Sequence, residues 1–354
     1  MMSVLSLPDA QGLGTIAAES VLSIITRTAD IYSVKSTKVL RLAVYTGGGT
    51  GNAISVYKTI GSYIGRSATV NRLVSGLSIL SGKKEAELIT LYNHGGVIGR
   101  GIGLVAYCLR VCPDCVHPIN GLGYGLLAHQ LRAITHCPIH RTPLNEQCLG
   151  CGKRFAPLQS TTPGSVCASC GDELWTQHRI DGQTSAYAAW CEQQTGDFVA
   201  YATDPEQADT YENWPQLYSK TLAGIWSADR RIYSITEKLF VHNCIRRAVD
   251  NPGALPSFNT LLRLASMQMV SLVDFIRSPV QCSSSRLLNA GGAKDPCTSR
   301  RDHPKELWQS AKKKVEALLE SEPSNLLPSK RDLLREMGLS VTGFWQHYSS
   351  LSGA

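Results

Sequence analysis

The sequence predicts a mainly α-helical protein with a Cys-rich module near its centre. Apolar residues recur at helical spacing on both sides of that module, and serines stand where they can cap the helices. Four pairs of Cys or His with the same inner spacing fall between residues 112 and 170. A chain of 354 residues has room for two or three compact units, and its 43% hydrophobic content is sufficient for buried cores.

The first predicted helix lies within the segment AAESVLSIITRTADIY, residues 17–32. Val21, Leu22, Ile25 and Ala29 follow the period of an α-helix and therefore form one apolar face. This helix is expected to pack that face against the rest of an N-terminal helical domain.

Two further segments precede the Cys-rich module. Residues 46–52 read TGGGTGN without a following Gly-Lys-Ser/Thr, so they fail the test for a phosphate-binding loop and are interpreted as a flexible loop. Residues 67–92 predict two short helices separated at Ser81 and Gly82. That outline is typical of a helix-turn-helix unit and equally of any helical hairpin.

The module holds eight candidate metal ligands in four pairs, each pair with two residues between its members. The pairs are Cys112 and Cys115, Cys137 and His140, Cys148 and Cys151, and Cys167 and Cys170. This spacing lets both side chains reach one cation from a single turn, and two turns supply the four tetrahedral positions of structural zinc. The sequence therefore predicts two structural zinc ions, with the pairs combined in sequence order or, alternatively, interleaved.

The residues around these pairs favour a structural role for the metal. Gly152 and Gly171 follow the last two pairs, as in zinc knuckles, where glycine lets backbone amides face the sulfur. Both predicted sites are closed by protein ligands and rich in thiolate, whereas catalytic zinc keeps an open position. His129 and His136 lie near the first site and are predicted to be polar neighbours rather than ligands.

The remaining cysteines have no partner at ligand spacing and are predicted to be core or incidental thiols. They are Cys108, Cys191, Cys244, Cys282 and Cys297.

Residues 256–279 predict a further pair of helices. Ser257 can cap the first, and Ser271 with Asp274 forms a capping pattern that opens the second, which ends before Pro279.

The C-terminal segment repeats this pattern in LPSKRDLLREMGLSVTGFWQHYSSL, where Gly338 can end one helix. If both pairs are helix-turn-helix units, their recognition helices begin near Ser271 and Ser340, since the first turn of such a helix enters the major groove. The candidate DNA contacts in the C-terminal pair are Lys330, Arg331, Ser340, Thr342 and Gln346.

Positive charge is concentrated near the C-terminus. Residues 1–219 hold 16 Lys and Arg against 16 Asp and Glu, whereas residues 220–354 hold 19 against 12, which accounts for the whole net charge of +7. Residues 181–219 hold seven acids and no Lys or Arg. If the protein meets nucleic acid, the C-terminal third is expected to approach it and the acidic stretch to face a different partner.

These segments predict helix-turn-helix-like helical units around a central double zinc-binding module of the ribbon or knuckle type. Five parts are expected. They are an N-terminal helical domain (1–107), the zinc module (108–175), a helical region with the acidic stretch (176–278), a linker (279–305) and a basic C-terminal helix-turn-helix-like unit (306–354).

Several classes of protein are disfavoured. The N-terminus does not resemble a signal peptide, and the most apolar run, residues 102–109, is far shorter than the roughly 20 residues that span a bilayer. A cytoplasmic, nucleoid-associated protein is expected, in which 12 cysteines favour metal binding over disulfides. His-Glu-x-x-His, a nucleophile elbow and a recognisable two-metal acidic cluster are all absent from the sequence, which predicts a protein without enzymatic activity.

The order of these motifs resembles the TniQ family, the target-selection proteins of certain DNA transposons. The resemblance rests on the helix ESVLSIITRTA, on CPDC and CPIH followed by Leu144, and on CLGCG and CASCG. The segments at residues 256–265 and 328–340 are also similar to that family.

The resemblance implies a nonenzymatic adaptor that selects the insertion site and links it to an AAA+ regulator and the transposase. In some members the adaptor binds a specific attachment DNA by itself. In CRISPR-associated members it docks, often as a homodimer, on an RNA-guided effector complex. The alternative reading is a zinc-containing helix-turn-helix protein that reads an attachment site alone. A protein-interaction adaptor with weak DNA contact also fits the acidic stretch.

Overall fold

The computed structural model describes most of the first 279 residues. The described ranges are 6–50, 59–98, 103–157, 165–179, 185–207, 211, 213–228, 246 and 249–279. The chain divides into two units, Met1–Pro296 and Cys297–Ala354, and every described residue belongs to the first. Within the described ranges the fold is mainly α-helical, as predicted, and strand pairing is limited to isolated bridges.

Nine α-helices lie entirely in the described part of the chain. They are α1 (Val21–Ile31), α2 (Ser36–Thr46), α3 (Ala68–Ser81), α4 (Glu85–Ile89), α5 (Gly95–Ile98), α6 (Ala186–Ala202), α7 (Trp214–Ala228), α8 (Phe258–Met267) and α9 (Leu272–Arg277). None of these nine combines the length and apolarity that a membrane-crossing helix requires.

Serine caps begin five of these helices. The side-chain oxygens of Ser20, Ser67, Ser185, Ser257 and Ser271 each accept a hydrogen bond from the backbone N–H three residues further on. Each cap satisfies an N–H that the helix leaves free and contributes about 1 kcal/mol. The caps predicted at Ser257 and Ser271 are confirmed.

The predicted break between two helices at Ser81 and Gly82 is also confirmed. Gly82 has φ +71° and donates its N–H to the Ser78 carbonyl, which ends α3, and α4 begins three residues later at Glu85. The assignment of this pair as a helix-turn-helix unit stays a prediction.

Helices α2 and α3 cross in close contact through glycine. A Cβ added to Gly76 would lie 1.7 Å from the Ala43 carbonyl oxygen, and one added to Gly47 would lie 1.9 Å from the Arg72 carbonyl oxygen. Thr46 and Gly47, interpreted above as part of a flexible loop, therefore end α2, and Gly47 packs against α3. Residues 51 and 52 of that motif lie outside the described ranges.

The main hydrophobic core includes residues from the helices before and after the Cys-rich module, and residues of the module itself. Leu73, Phe198 and Phe258 are fully buried there, as is Cys137. A second, small core contains only Cys148, Phe155, Cys167 and Leu174, with three partly buried neighbours. The two halves of the module therefore pack against different cores. The predicted domain limits at residues 107 and 175 stay predictions.

Candidate metal centres

The first two ligand pairs come together in one cluster. The Cys115 sulfur lies 3.5 Å from the Cys137 sulfur, and Nδ1 of His140 lies 3.3 Å from the Cys115 sulfur. That same nitrogen lies 3.6 Å from the sulfurs of Cys112 and Cys137. All four ligand atoms lie within 4.8 Å of one another, so the cluster could hold a metal ion.

The last two pairs form a second cluster, which consists of four cysteines. The Cys148 and Cys170 sulfurs are 3.6 Å apart, and the Cys151 and Cys167 sulfurs are 3.8 Å apart. Cys148 and Cys167 are buried, whereas Cys151 and Cys170 are exposed. Both clusters combine the pairs in sequence order, which is the first of the two arrangements considered above.

The distances within both clusters match a tetrahedral zinc site. With Zn–S bonds of about 2.3 Å and Zn–N bonds of about 2.0 Å, a tetrahedron has sulfur–sulfur edges of about 3.8 Å and sulfur–nitrogen edges of about 3.5 Å. The sulfur–sulfur distances of 3.5, 3.6 and 3.8 Å are also far longer than the roughly 2.05 Å of a disulfide. The eight residues therefore fit two closed sites for a tetrahedral, thiolate-seeking cation.

The four-cysteine cluster is built on two glycine knuckles of the same geometry. Gly152 has φ +69° and donates its N–H to the Cys148 carbonyl at 2.8 Å. Gly171 has φ +81° and donates to the Cys167 carbonyl at 2.8 Å. A positive φ is accessible to glycine without steric cost, which explains why glycine follows both pairs.

The first cluster contains a third knuckle of this form, in which arginine stands at the position of glycine. Arg141 has φ +60° and donates its N–H to the Cys137 carbonyl at 2.8 Å, while the Cys137 N–H donates to the Thr142 carbonyl. Cys148 and Cys167 make the same pair of backbone hydrogen bonds. The sequence did not reveal this knuckle because its glycine is missing.

Replacing Arg141 with glycine is expected to stabilise the fold by about 0.5–1 kcal/mol. A non-glycine residue in the left-handed region costs roughly 1–2 kcal/mol, and the greater entropy of glycine in the unfolded chain offsets part of the gain. Urea unfolding of the zinc-loaded protein measures the change. Arg141→Ala is the matched control, because it removes the same exposed side chain but keeps the Cβ. Equal stability of the glycine and alanine variants would contradict the assignment.

Gln177 holds the Cys148 knuckle and links it to the first cluster. Its Nε2 donates to the Cys148 sulfur at 3.4 Å and its Oε1 accepts the Leu149 N–H at 2.8 Å. Its backbone carbonyl accepts from the side chain of Asn145, which pairs with Val111 immediately before Cys112. The sequence offered no signal for this residue, since glutamine is neither a ligand nor part of the motif.

Hydrogen bonds stabilise the thiolate form of Cys148. Burial raises the pKa of this thiol, but hydrogen bonds from the Cys151 backbone and the Gln177 side chain act in the opposite direction and lower its pKa to about 6. A thiol with such a pKa is ionised at neutral pH and therefore already in the form that binds a cation.

His136 is a polar neighbour of the first cluster rather than a member of it. Its Nδ1 lies 3.0 Å from Oε1 of Glu192, and the same oxygen accepts the N–H groups of Thr135 at 2.7 Å and of His136 at 3.2 Å. Glu192 lies on α6, so this helix holds the residues that lead into Cys137. One acid of the acidic stretch therefore has an internal structural partner.

Arg110 supports the first cluster from the other side. Its guanidinium is buried and donates from Nε to the His129 carbonyl at 2.9 Å and from Nη2 to the Leu131 carbonyl. Burial lowers the pKa of this group to about 10, so it stays charged at neutral pH. His129 is likewise buried and contributes its carbonyl, not its ring, to this contact. Arg110 was not predicted, because a lone arginine between two cysteines carries no recognisable pattern.

Some of the predicted core thiols, and all of the predicted DNA contacts, lie outside the described residues. Cys108 and Cys191 are buried and form no disulfide, as predicted for core thiols, whereas Cys244, Cys282 and Cys297 lie outside the described residues. The predicted DNA contacts also lie outside the described residues, and they are Lys330, Arg331, Ser340, Thr342 and Gln346.

The start of α9 is poorly suited to enter a DNA groove. The Leu272 N–H donates to Oε1 of Gln194 on α6, so the first turn is docked on another helix. Its exposed side chain is Asp274, an acid that phosphate repels. The docked first turn and the exposed acid both argue against the recognition helix predicted near Ser271.

The fold and these two centres define a mainly α-helical protein with two clusters, each able to hold a metal ion. One cluster has three cysteines and one histidine, and the other has four cysteines. No protein-family model matches the chain, and a search of curated proteins gives no significant match.

Proposed function

We propose that the protein is a nonenzymatic adaptor that selects the target site for DNA transposition, and that both clusters bind structural zinc. The observation that carries the proposal is the assembly of all eight motif residues into two closed four-ligand clusters among the helices. The resemblance to the TniQ family rests chiefly on the same four pairs. Closed thiolate-rich sites favour zinc as the cation and a structural role for it.

The position of the first cluster supports a scaffold role. Cys112, Cys115 and Cys137 belong to the main hydrophobic core, together with residues of α1, α3, α6 and α8. A cation bound there would lock helices from before and after the module in one arrangement, because metal binding to a closed site is folding free energy. An adaptor that binds at a target site and recruits a second partner to it needs such a fixed geometry between its two binding surfaces.

The partners of this adaptor follow from the proposed role. On one side it engages target DNA or an RNA-guided CRISPR effector complex, and on the other it recruits the AAA+ regulator and through it the transposase. A homodimer would present two copies of each surface. The alternative function, direct reading of an attachment site by this chain alone, differs from the first in requiring sequence-specific DNA binding without a partner.

The proposal is tested with the full-length, zinc-loaded protein. The first assay selects bound DNA from a pool of random duplexes at near-physiological salt, and the second measures capture of the AAA+ regulator encoded by the same element. Protein stripped of zinc with a chelator is the control in both. Capture of the regulator only by the zinc-loaded protein supports the adaptor function.

The DNA selection separates the two forms of the proposal. Enrichment of a motif of about ten base pairs, one helical turn, supports direct reading of an attachment site. Weak, salt-sensitive binding without enrichment supports an adaptor whose partner supplies the location. Failure of the zinc-loaded protein to capture the regulator would overturn the adaptor function, whether or not the protein binds DNA.

A further inference from the structure

The segment from residue 31 to residue 84 contains no acidic residue. It holds eight Lys and Arg, whereas 28 acids in 354 residues would place about four acids in any 54 residues. The nearest acids along the chain are Asp30 and Glu85, which stand directly outside it. The net charge of residues 1–219 does not reveal this segment, because acids elsewhere in that range cancel its positive charge.

Helix α2 presents three of these cations and two apolar side chains on one exposed face. Lys35 precedes the helix, and Lys38, Arg41, Leu42 and Tyr45 recur at helical spacing on the side opposite its buried residues. Leu42 is 42% exposed and Tyr45 is 70% exposed. The face therefore combines positive charge with an accessible aromatic ring.

Helix α3 packs on the other side of α2 from these exposed side chains. A Cβ added to Gly76 of α3 would lie 1.7 Å from the carbonyl oxygen of Ala43, a buried residue of α2. We call Lys35, Lys38, Arg41 and Tyr45 the basic face. Because the backbones of α2 and α3 meet at glycine, α3 supports α2 closely from behind this face.

The three cations of the basic face make no ion pair within the described part of the chain. Two other cations of the same segment are engaged: Lys83 pairs with Asp9, and Arg66 packs over the Tyr92 ring at 5.6 Å. Like charges on one face repel one another, and a polyanionic partner relieves this repulsion. The charges of the basic face are thus available to such a partner.

We propose that the basic face binds the phosphate backbone of duplex DNA. Lys35 to Arg41 spans about 9 Å of helix, over which a duplex presents about five phosphate charges. Lysine and arginine neutralise phosphates and release counterions, and the tyrosine hydroxyl is a further phosphate donor. This inference rests on the proposed role in DNA targeting, but it places a DNA contact on α2 rather than in the C-terminal third.

The test compares two charge reversals of equal size in the full-length, zinc-loaded protein. Lys38→Glu with Arg41→Glu alters the basic face, and Lys84→Glu with Lys153→Glu alters two exposed lysines outside it, so both double variants change the net charge by the same amount. The probe is a fluorescent duplex of random sequence, about 30 base pairs long. Its binding is measured by fluorescence anisotropy at salt concentrations from about 50 to about 200 mM, over which counterion release changes the affinity of DNA binding strongly. Zinc content and circular dichroism report folding.

Loss of two phosphate contacts is expected to weaken binding at least about tenfold and to reduce the slope of log affinity against log salt by about 2, since each contact contributes about 0.9. The control pair is expected to retain the wild-type slope. Equal affinities and slopes for the two pairs, or absence of salt-dependent binding by the wild type, would overturn the inference.

The outcome also separates this inference from the proposed function. If the basic face binds random DNA but the regulator is not captured, the surface assignment stands and the adaptor function fails. If the regulator is captured by both double variants while neither loses DNA binding, the adaptor function stands and the basic face is not its DNA contact.

Discussion

Replacing Cys137 with serine is expected to reduce the zinc content from two ions per chain to one and to destabilise the main helical fold severely. Cys137 is fully buried in the main core, and the variant would leave two thiols and His140 of its cluster without the fourth ligand. Structural zinc contributes about 10–16 kcal/mol of binding free energy in small zinc-dependent domains, which is as large as the typical total stability of a domain. Inductively coupled plasma mass spectrometry measures the zinc, and urea unfolding measures the stability.

Cys170→Ser provides the comparison between the two centres. It is also expected to remove one zinc ion, but the four-cysteine cluster packs against its own small core of Cys148, Phe155, Cys167 and Leu174. The main unfolding transition should therefore persist, with a smaller loss of stability than in Cys137→Ser. Cys108→Ser is the control, because this buried thiol belongs to neither cluster and the variant should keep both ions. A Cys137→Ser protein with two zinc ions and wild-type stability would contradict the assignment.

The candidate ligands could be predicted because their spacing is local. A Cys-x-x-Cys turn brings two ligand atoms together without any contribution from the rest of the fold, so the pairs were visible in the sequence. The combination of the pairs and the residues that support them depend on contacts distant in sequence. Gln177 reaches Cys148 across 29 positions, and Glu192 reaches Thr135 across 57. Neither contact has a sequence pattern.

The same distinction applies to the helices. The helices that begin at Ser257 and Ser271 were predicted because a serine cap is followed by apolar residues at helical spacing. Helix α6 also has a serine cap, but its buried face contains Gln194 and Thr195, whose polar atoms are satisfied by the Leu272 N–H and the Cys191 carbonyl. A buried polar residue interrupts the apolar period, so the pattern alone did not predict this helix.

Helix α2 was not predicted because its signals are weak at both ends. Lys35 gives it no side-chain cap, and the glycine run that follows resembles a loop. The role of Gly47 depends on a carbonyl group of α3, which lies 25 residues further along the chain. The acid-free segment is visible in the sequence. It was missed because charge was counted over the first 219 residues together, where acids outside the segment cancel its positive charge.

Replacing Gly76 with alanine is expected to destabilise the protein by about 1–2 kcal/mol, although alanine is the better helix former. Helix propensity alone would favour alanine by about 1 kcal/mol at this position inside α3. The added Cβ would, however, lie 1.7 Å from the Ala43 carbonyl oxygen, so α2 and α3 must move apart. Overpacking of this kind costs roughly 1–3 kcal/mol or more, and here the obstacle is backbone that cannot rotate away. Urea unfolding of the zinc-loaded variant measures the sign and size of the change.

Gly196→Ala in α6 is the matched control for this prediction. The Cβ added there would meet Cδ1 of Ile16 at 2.1 Å, the tip of a side chain that can adopt another rotamer. Its cost should be offset by the gain in helix propensity, so we expect a change near zero. Stabilisation by both substitutions would show that propensity dominates and that α2 and α3 are not in close contact. Destabilisation by Gly76→Ala alone would establish the close α2–α3 crossing, which supports from behind the helix that carries the basic face.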